Sequence, residues 1–338
     1  MKFGLIYSYQ IENNDGYRTF AESVEQVRLA ERYGFDNVLV SEHHLVENGY
    51  FPASLLAAAS LAMRTERIRV GTGVLLLPLY NPLHVAEESA VLDVISNGRL
   101  IFGVGQGYRR EEFAAFGVPL KERPSRLAEG VEVVRRLWTE PSVTHHGRYF
   151  HLQNVMMRPQ PRQKPCPPIW VAAKQKKAVE LAARVGDAWF ADPITPVRVI
   201  QERVADYRRA LQSAGKDFAQ LEFPIMREAY VATSTSRAWE EARDPVLSIY
   251  KEYLDWGHMQ DEEGKPVPPG NEKALDDALH QRFMIGDPDF CVQYLEKLQA
   301  DLGVNNIVMR MKFPGLAHDK VMASIRLFAE KVMPHFVE

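Results

Sequence analysis

Ser41-Glu42-His43-His44 places two imidazoles and a carboxylate together, and histidine is the side chain best suited to proton transfer near neutral pH. The apolar run Asp36 to Ser41 before them reads as a strand, so both imidazoles fall at a strand's C-terminal end. Neighbouring residues on an extended chain point to opposite sides, so His43 and His44 are poorly placed to share one metal ion unless the backbone turns between them. Barrel hydrolases place two histidines at alternate positions of the first strand, and Phe3 to Tyr9 has none, so no metal is expected. Hydrogen-bonded loop histidines without a chemical role fit the same residues.

Three further segments carry chemistry-bearing residues. Gly71-Thr72-Gly73-Val74 puts two glycines inside a strand pattern, which either lets a flat ligand or another backbone come close or marks a β-bulge. Gly103-Val104-Gly105-Gln106-Gly107-Tyr108 superficially resembles a dinucleotide fingerprint, but its third glycine is one residue early and no ribose-binding strand follows. Its amides and Gln106 could still reach a phosphate or ribityl chain. Lys174, Gln175, Lys176 and Lys177 open a helix directly after the strand Ile169 to Ala173. Cations at the positive end of a helix dipole are unfavourable by about 0.3–1 kcal/mol each, and a bound anion would reverse the sign. Solvated lysines that tolerate the dipole are the plain alternative.

The elements that must hold these groups alternate regularly. Strand-like runs at Lys2 to Ser8, Asp36 to Ser41, Ile68 to Leu75, Leu100 to Val104, Pro168 to Ala173, Asp187 to Ala191, Leu221 to Ala232 and Asn305 to Met311 are separated by amphipathic helix-length stretches. Helices are expected to end on left-handed caps at Gly34, Gly98, Gly186 and Gly303. Thr19 with Glu22 reads as a capping box, and Asn81-Pro82 as a helix start. The first helix is expected to bury Phe20, Val24, Val27 and Ala30 and to turn Glu25, Arg28 and Glu31 outward. Strict β-then-α order implies a parallel sheet, and eight such units close naturally into a (β/α)8 TIM barrel, with a doubly wound open sheet as the competing architecture.

Residues 1–338 are read as one barrel domain with insertions in the βα loops at about 139–167 and 233–287. The tract Asp261 to Pro269 is expected to be a mobile loop, and His145, His146 and His151 in the first insertion receive no role. Ala53 to Met63 is apolar nearly all round, so a second subunit should cover it.

A formal charge of −3 and 25% charged residues, with neither a basic stripe nor a like-charge block, argue against a nucleic-acid partner. Cys166 and Cys291 form no CxxC pair, which fits a reducing cytoplasm. No apolar leader or run of about 18 apolar residues supports export or a membrane span.

The order SEHH, then RVGTGVLLLPLYNPLHVAEESAVLDVISNGRLIFGVGQG, then PIWVAAK, and finally MKFPG resembles the bacterial luciferase-like flavin monooxygenases, from residue 1 to about 335. The LDxxSxGR element at Leu92 to Arg99 carries most of that likeness. The resemblance implies a TIM barrel, commonly dimeric through its second and third helices, that uses reduced FMN from a separate NAD(P)H-dependent flavin reductase. It implies that a flavin hydroperoxide oxygenates a small, largely apolar substrate. By position, His43 matches the family's catalytic imidazole and His44 flanks it. Gly73-Val74 falls where relatives carry a non-prolyl cis peptide under the flavin ring.

Gln106 stands where luciferase has an arginine for the flavin phosphate, and Lys174, Lys176 and Lys177 would take over that role. The cofactor set so implied is Gly73, Val74, Gln106, Tyr108, Ala173, Lys174, Gln175 and Lys176, while Tyr80 and Trp189, with Tyr108, would line the substrate pocket. Gly105 occupies the place of a reactive thiol, so light emission is not expected. A deazaflavin-dependent oxidoreductase on the same barrel is the alternative, followed by a flavin-storing protein and a zinc hydrolase. The substrate itself is not named by these residues.

Overall fold

The structure is a computed structural model that describes residues 1–11, 15–257, 259–268 and 270–336. Among them lie β1 (Lys2–Tyr7), β2 (Asn37–Val40), β3 (Arg69–Thr72), β4 (Leu100–Val104), β5 (Val143–His146), β6 (His151–Val155), β7 (Ile169–Ala172), β8 (Ala188–Phe190), β9 (Pro224–Val231), β10 (Met284–Gly286) and β11 (Asn306–Arg310). The chain forms two compact units: Met1–Asn37 with Ala191–Asp206 and Glu222–Glu338, and Val38–Phe190 with Tyr207–Leu221. In the first, β10, β9, β11 and β1 lie side by side, each pair parallel. In the second the order is β2, β3, β4, β7, β8, parallel from β3 onward.

Each of the eight expected strands is present. Every residue of β2, β4 and β9 is buried, the pattern of parallel strands covered on both faces, which explains why they read as continuous apolar runs. The strand glycines serve close approach. A Cβ on Gly71 would lie 1.9 Å from the Ile101 carbonyl oxygen, and one on Gly103 would lie 1.9 Å from that of Thr72.

Several local expectations are corrected. The first helix, Gly16–Arg32, is capped by Asp15, whose carboxylate accepts from the Arg18 N–H at 2.9 Å; Thr19 sits inside the helix, so no Thr19–Glu22 box forms. Its buried face is Ser23, Gln26, Val27, Leu29 and Ala30, with Phe20 and Val24 only half-buried. Asn81 caps as expected, accepting from the Leu83 N–H ahead of a helix that begins at Pro82. Gly34, Gly98 and Gly303 do take positive φ, but Gly186 has φ −94° and is extended. Glycine there answers space rather than handedness, since a Cβ would lie 2.7 Å from Val171 Cγ2.

The insertions contain more structure than their composition implied. The first holds the antiparallel hairpin β5–β6, where His145 meets Glu129 at 3.3 Å. The second is largely helical, at Thr235–Asp255 and Glu272–Arg282, and adds β10 as a further parallel strand on β9. Within the tract expected to be mobile, Asp261 N–H donates to the Lys265 carbonyl at 2.9 Å, and Val267 is buried. Buried Arg282 reaches the Glu262 carboxylate and the carbonyls of Ile194 and Gln260; Pro269, also in that reading, lies outside the described residues. Composition counts charges without revealing that one buried guanidinium holds Glu262.

The LDxxSxGR element works as a stitch. The Arg99 guanidinium donates to the carbonyls of Ala62 at 2.8 Å, Thr65 at 3.1 Å, Ile68 at 2.6 Å and Ser96 at 2.6 Å, and to Thr65 Oγ1 at 3.0 Å. The Asp93 carboxylate accepts from Gln163 N–H at 2.9 Å and from its side-chain amide at 2.7 Å. The motif therefore positions β3 and β4 and contributes no chemistry of its own.

Candidate active site

The C-terminal ends of β2, β3, β4 and β7, the usual place for chemistry in parallel β/α units, carry most of the expected residues. His43 and His44 leave β2 in opposite directions, as extended backbone requires. His43 Nδ1 is 2.9 Å from Glu112 Oε1, and its Nε2 is 3.1 Å from the Tyr108 hydroxyl. Tyr50 meets the same ring edge-on at 5.0 Å. His44 turns the other way, with Nε2 3.4 Å from Glu42 Oε1 and 3.2 Å from the Tyr80 hydroxyl, and Phe116 edge-on at 4.7 Å. Each imidazole thus has its own carboxylate and its own phenol.

Glu112 joins the two arrangements. Its Oε1 also accepts the His44 backbone N–H at 2.9 Å, while Arg109 donates to the His44 carbonyl at 2.5 Å and lies 3.5 Å from Glu112. The loop is thereby clamped on both sides of one residue. Burial pushes the Glu112 carboxyl upward, but the hydrogen bond and charge of His43, the His44 N–H and Arg109 outweigh it, so the group lies below the ordinary carboxylate range. Glu112 Oε2 is buried without a hydrogen-bond partner among the described residues. Glu42, also buried, accepts from Ser54 Oγ, from Leu76 N–H at 3.1 Å and from Tyr80 O–H at 3.0 Å. Burial first, then the Glu42 charge, drives the Tyr80 hydroxyl far above its usual range, so Tyr80 is the donor of that bond.

A carboxyl depressed in the folded state contributes stability above its unfolded-state value and loses it as pH falls through the folded value. Glu112→Gln is therefore expected to be less stable than the parent at pH 7. The gap should narrow as pH falls through the range below ordinary carboxylate titration. Urea unfolding midpoints measured from pH 7 to pH 3.5 check this; a constant gap would mean the charge of Glu112 is not what matters.

The Gly73–Val74 peptide is cis, as the resemblance implied. Both residues are half-exposed, whereas Gly71, Thr72 and Leu75 around them are buried. Gly105 closes in beside them, since a Cβ there would lie 2.6 Å from Val74 Cγ2 and 3.8 Å from the Ala172 Cβ. The ends of three strands therefore meet in a floor with little side chain on it. Gln106 and Tyr108 are half-buried beyond β4. After β7, Lys174 is half-buried and Gln175 takes the N-cap position, without a side-chain capping bond, of the helix Lys176–Val185, whose first lysines are exposed. Ala173 and Trp189 are buried, and the Trp189 indole N–H donates to the Ala173 carbonyl at 2.8 Å.

Glu112 was missed as a site residue, as were Ser54, Tyr50, Arg109 and Phe116. The only local sign of Glu112 is an acid one residue before Phe113-Ala114-Ala115 in a short helix, and nothing there points back to His43. Among the described residues, no group of three or more His, Cys, Asp or Glu side chains could hold a metal ion.

Carboxylate-oriented imidazoles at the strand ends of a parallel β/α fold, beside a bare backbone floor, make this the candidate site of an enzyme. The chain belongs to the luciferase-like monooxygenase family, whose model matches residues 1–306. It is similar to the oxygenase component of flavin-dependent trigonelline monooxygenase from Acinetobacter baylyi, 28% identical over 332 residues, covering 94% of this chain and 90% of that one. It is equally similar to F420-dependent glucose-6-phosphate dehydrogenase of Amycolatopsis mediterranei, 28% identical over 342 residues and covering 94% and 97%. The monooxygenase RslO1 of Streptomyces bottropensis superimposes with a TM-score of 0.89 at 29% identity, over 100% of both chains.

Proposed function

We propose that this protein is a two-component FMN-dependent monooxygenase that oxygenates a small organic substrate. The observation that carries the reading is the pairing of His43, fixed by Glu112, with the bare floor at Gly73–Val74 on the neighbouring strand end. The residues present suit flavin mononucleotide. A flat ring needs a floor without projecting side chains, which Gly73, Val74, Gly105 and Ala172 provide. A phosphate needs amides and cations, which Gln106, Lys174, Gln175 and Lys176 supply next to a helix N-terminus.

When bound in its reduced form, FMN would supply the electrons with which molecular oxygen is activated. The chain's own share is orientation and proton handling. Glu112 holds a proton on His43 Nδ1 and leaves Nε2 to exchange one, while Glu42 holds His44 and Tyr80 in place. Tyr80, Tyr108 and Trp189 are assigned to the substrate side. A separate NAD(P)H-dependent flavin reductase as electron source is part of the reading, supported by a relative described as an oxygenase component. So are a cytoplasmic location, the closed (β/α)8 barrel over a single domain, and a homodimer that covers the exposed Leu56 and Met63. No helix among the described residues is long and apolar enough to cross a membrane.

The F420-dependent relative favours a second reading, hydride transfer to a deazaflavin without oxygen. Binding of FMN and coenzyme F420 measured side by side, with oxygen uptake after mixing with the reduced cofactor, separates the two. Binding of neither sinks both. Changing Lys174 and Lys176 together to Met is expected to raise the Kd for FMN about 10- to 100-fold, about 1.4–2.8 kcal/mol in total, because solvent screening leaves each lysine short of a buried charge-assisted contact. The Kd for riboflavin, which has no phosphate, should stay within about threefold. Equal losses for both ligands would remove the lysines from the phosphate role.

A further inference from the structure

The imidazole of His43 is engaged at both nitrogens, so any molecule entering the site meets something else first. Exposure rises in one direction along the hydrogen-bonded series. The Glu112 side chain is 0% exposed and that of His43 10%, while Tyr108 is half-buried. Tyr108 also meets the His43 ring at 5.4 Å and 69°, with its hydroxyl 3.1 Å from Nε2, so the phenol rather than the imidazole is the last group of the series. Carboxylate, imidazole and hydroxyl in this order are the parts of a relay in which the acid fixes the tautomer, the imidazole takes the proton and the hydroxyl does the outward exchange.

We propose that the Tyr108 hydroxyl is the group that passes protons to and from the reacting atoms, with His43 behind it as relay and Glu112 as the residue that positions the relay. This deepens the flavin oxidoreductase reading and rests on it. In the first step a proton of the reacting atom passes to the Tyr108 oxygen as the Tyr108 O–H bond breaks and its proton moves to His43 Nε2. The neutral imidazole becomes an imidazolium whose Nδ1 proton stays hydrogen-bonded to Glu112, and no electron changes hands. In the reverse sequence Tyr108 donates its proton outward while Nε2 returns its own to the phenol oxygen. A phenol unaided is a weak acid near neutral pH; an imidazolium behind it removes the need for a free phenolate, because the hydroxyl is reprotonated as it donates. Glu112, a carboxylate throughout the neutral range, accepts the Nδ1 proton in both states of the ring.

The test uses the full chain with Tyr108→Phe and, separately, 3-fluorotyrosine in place of Tyr108, which keeps the shape and makes the phenol more acidic. Nitrogen NMR of the flavin-free parent should show His43 protonated at Nδ1 and accepting a hydrogen bond at Nε2. In Tyr108→Phe only the Nε2 signal should move, to that of an acceptor without a donor. Turnover of Tyr108→Phe should fall about 100-fold with the FMN Kd within about threefold, and the fluorinated protein should show its pH profile displaced to lower pH. An unmoved Nε2 signal, a Tyr108→Phe turnover within threefold of the parent, or an unchanged pH profile overturns the proposal while leaving the flavin reading in place. A parent that binds neither FMN nor a deazaflavin overturns the reading and the proposal with it.

Discussion

His43→Asn is expected to lose about 10²- to 10⁴-fold in turnover, the usual contribution of one positioned proton-transfer group. Asparagine is the informative replacement because its amide can still donate to Glu112 Oε1, which otherwise would keep only the His44 N–H at 2.9 Å and the more distant Arg109. Alanine would leave a buried carboxylate short of its strongest partner and mix a stability loss into the rate. The FMN Kd should change by less than about threefold, since the ring floor and the phosphate residues lie on β3, β4 and the segment after β7. Reduced FMN should then be consumed without oxygenated product, which product analysis and oxygen uptake together record. A rate within about threefold of the parent would remove the imidazole from the chemistry.

Arg99→Ala is expected to cause the largest loss of stability among simple substitutions away from the site, about 3 kcal/mol or more. The Arg99 guanidinium donates five hydrogen bonds, to four carbonyls and one hydroxyl, where the preceding helices turn into β3 and β4. Charge-assisted bonds contribute about 1.5–3 kcal/mol each when taken singly, and orphaned buried acceptors add a desolvation cost. The effects are not additive, because the carbonyls share one guanidinium and some will recruit water. Arg99→Lys should recover less than half of the loss, since an ammonium cannot reproduce the planar fork. Thermal and urea unfolding of both proteins would test this, and an Arg99→Ala protein within about 1 kcal/mol of the parent would show that the stitch is dispensable.

Much of this molecule can be read along one dimension. The eight strands follow from runs of apolar and β-branched residues between helix-length amphipathic stretches, because burial on both faces selects for continuous hydrophobicity. His43 and His44 were placed at a strand end, and on opposite sides, by the two-residue repeat of extended backbone alone. Asn81 capped its helix as read, whereas Thr19 did not, because Asp15 lay four residues earlier and a carboxylate is the stronger acceptor there. Gly186 shows that a glycine at the right place can be required by a neighbour's bulk rather than by its own φ.

Residue order established the parallel β/α succession, the family motif and the two imidazoles at a strand's end, because periodicity, capping and local chemistry depend on neighbours in the chain. Tertiary structure alone decided which carboxylate His43 receives and which phenol each imidazole meets. Glu112 stands 69 positions from His43, and Glu42 reaches Tyr80 across 38. Such pairings are made when separate strand ends are brought together by core packing, and a fully buried carboxylate carries no local signature of the proton it will hold.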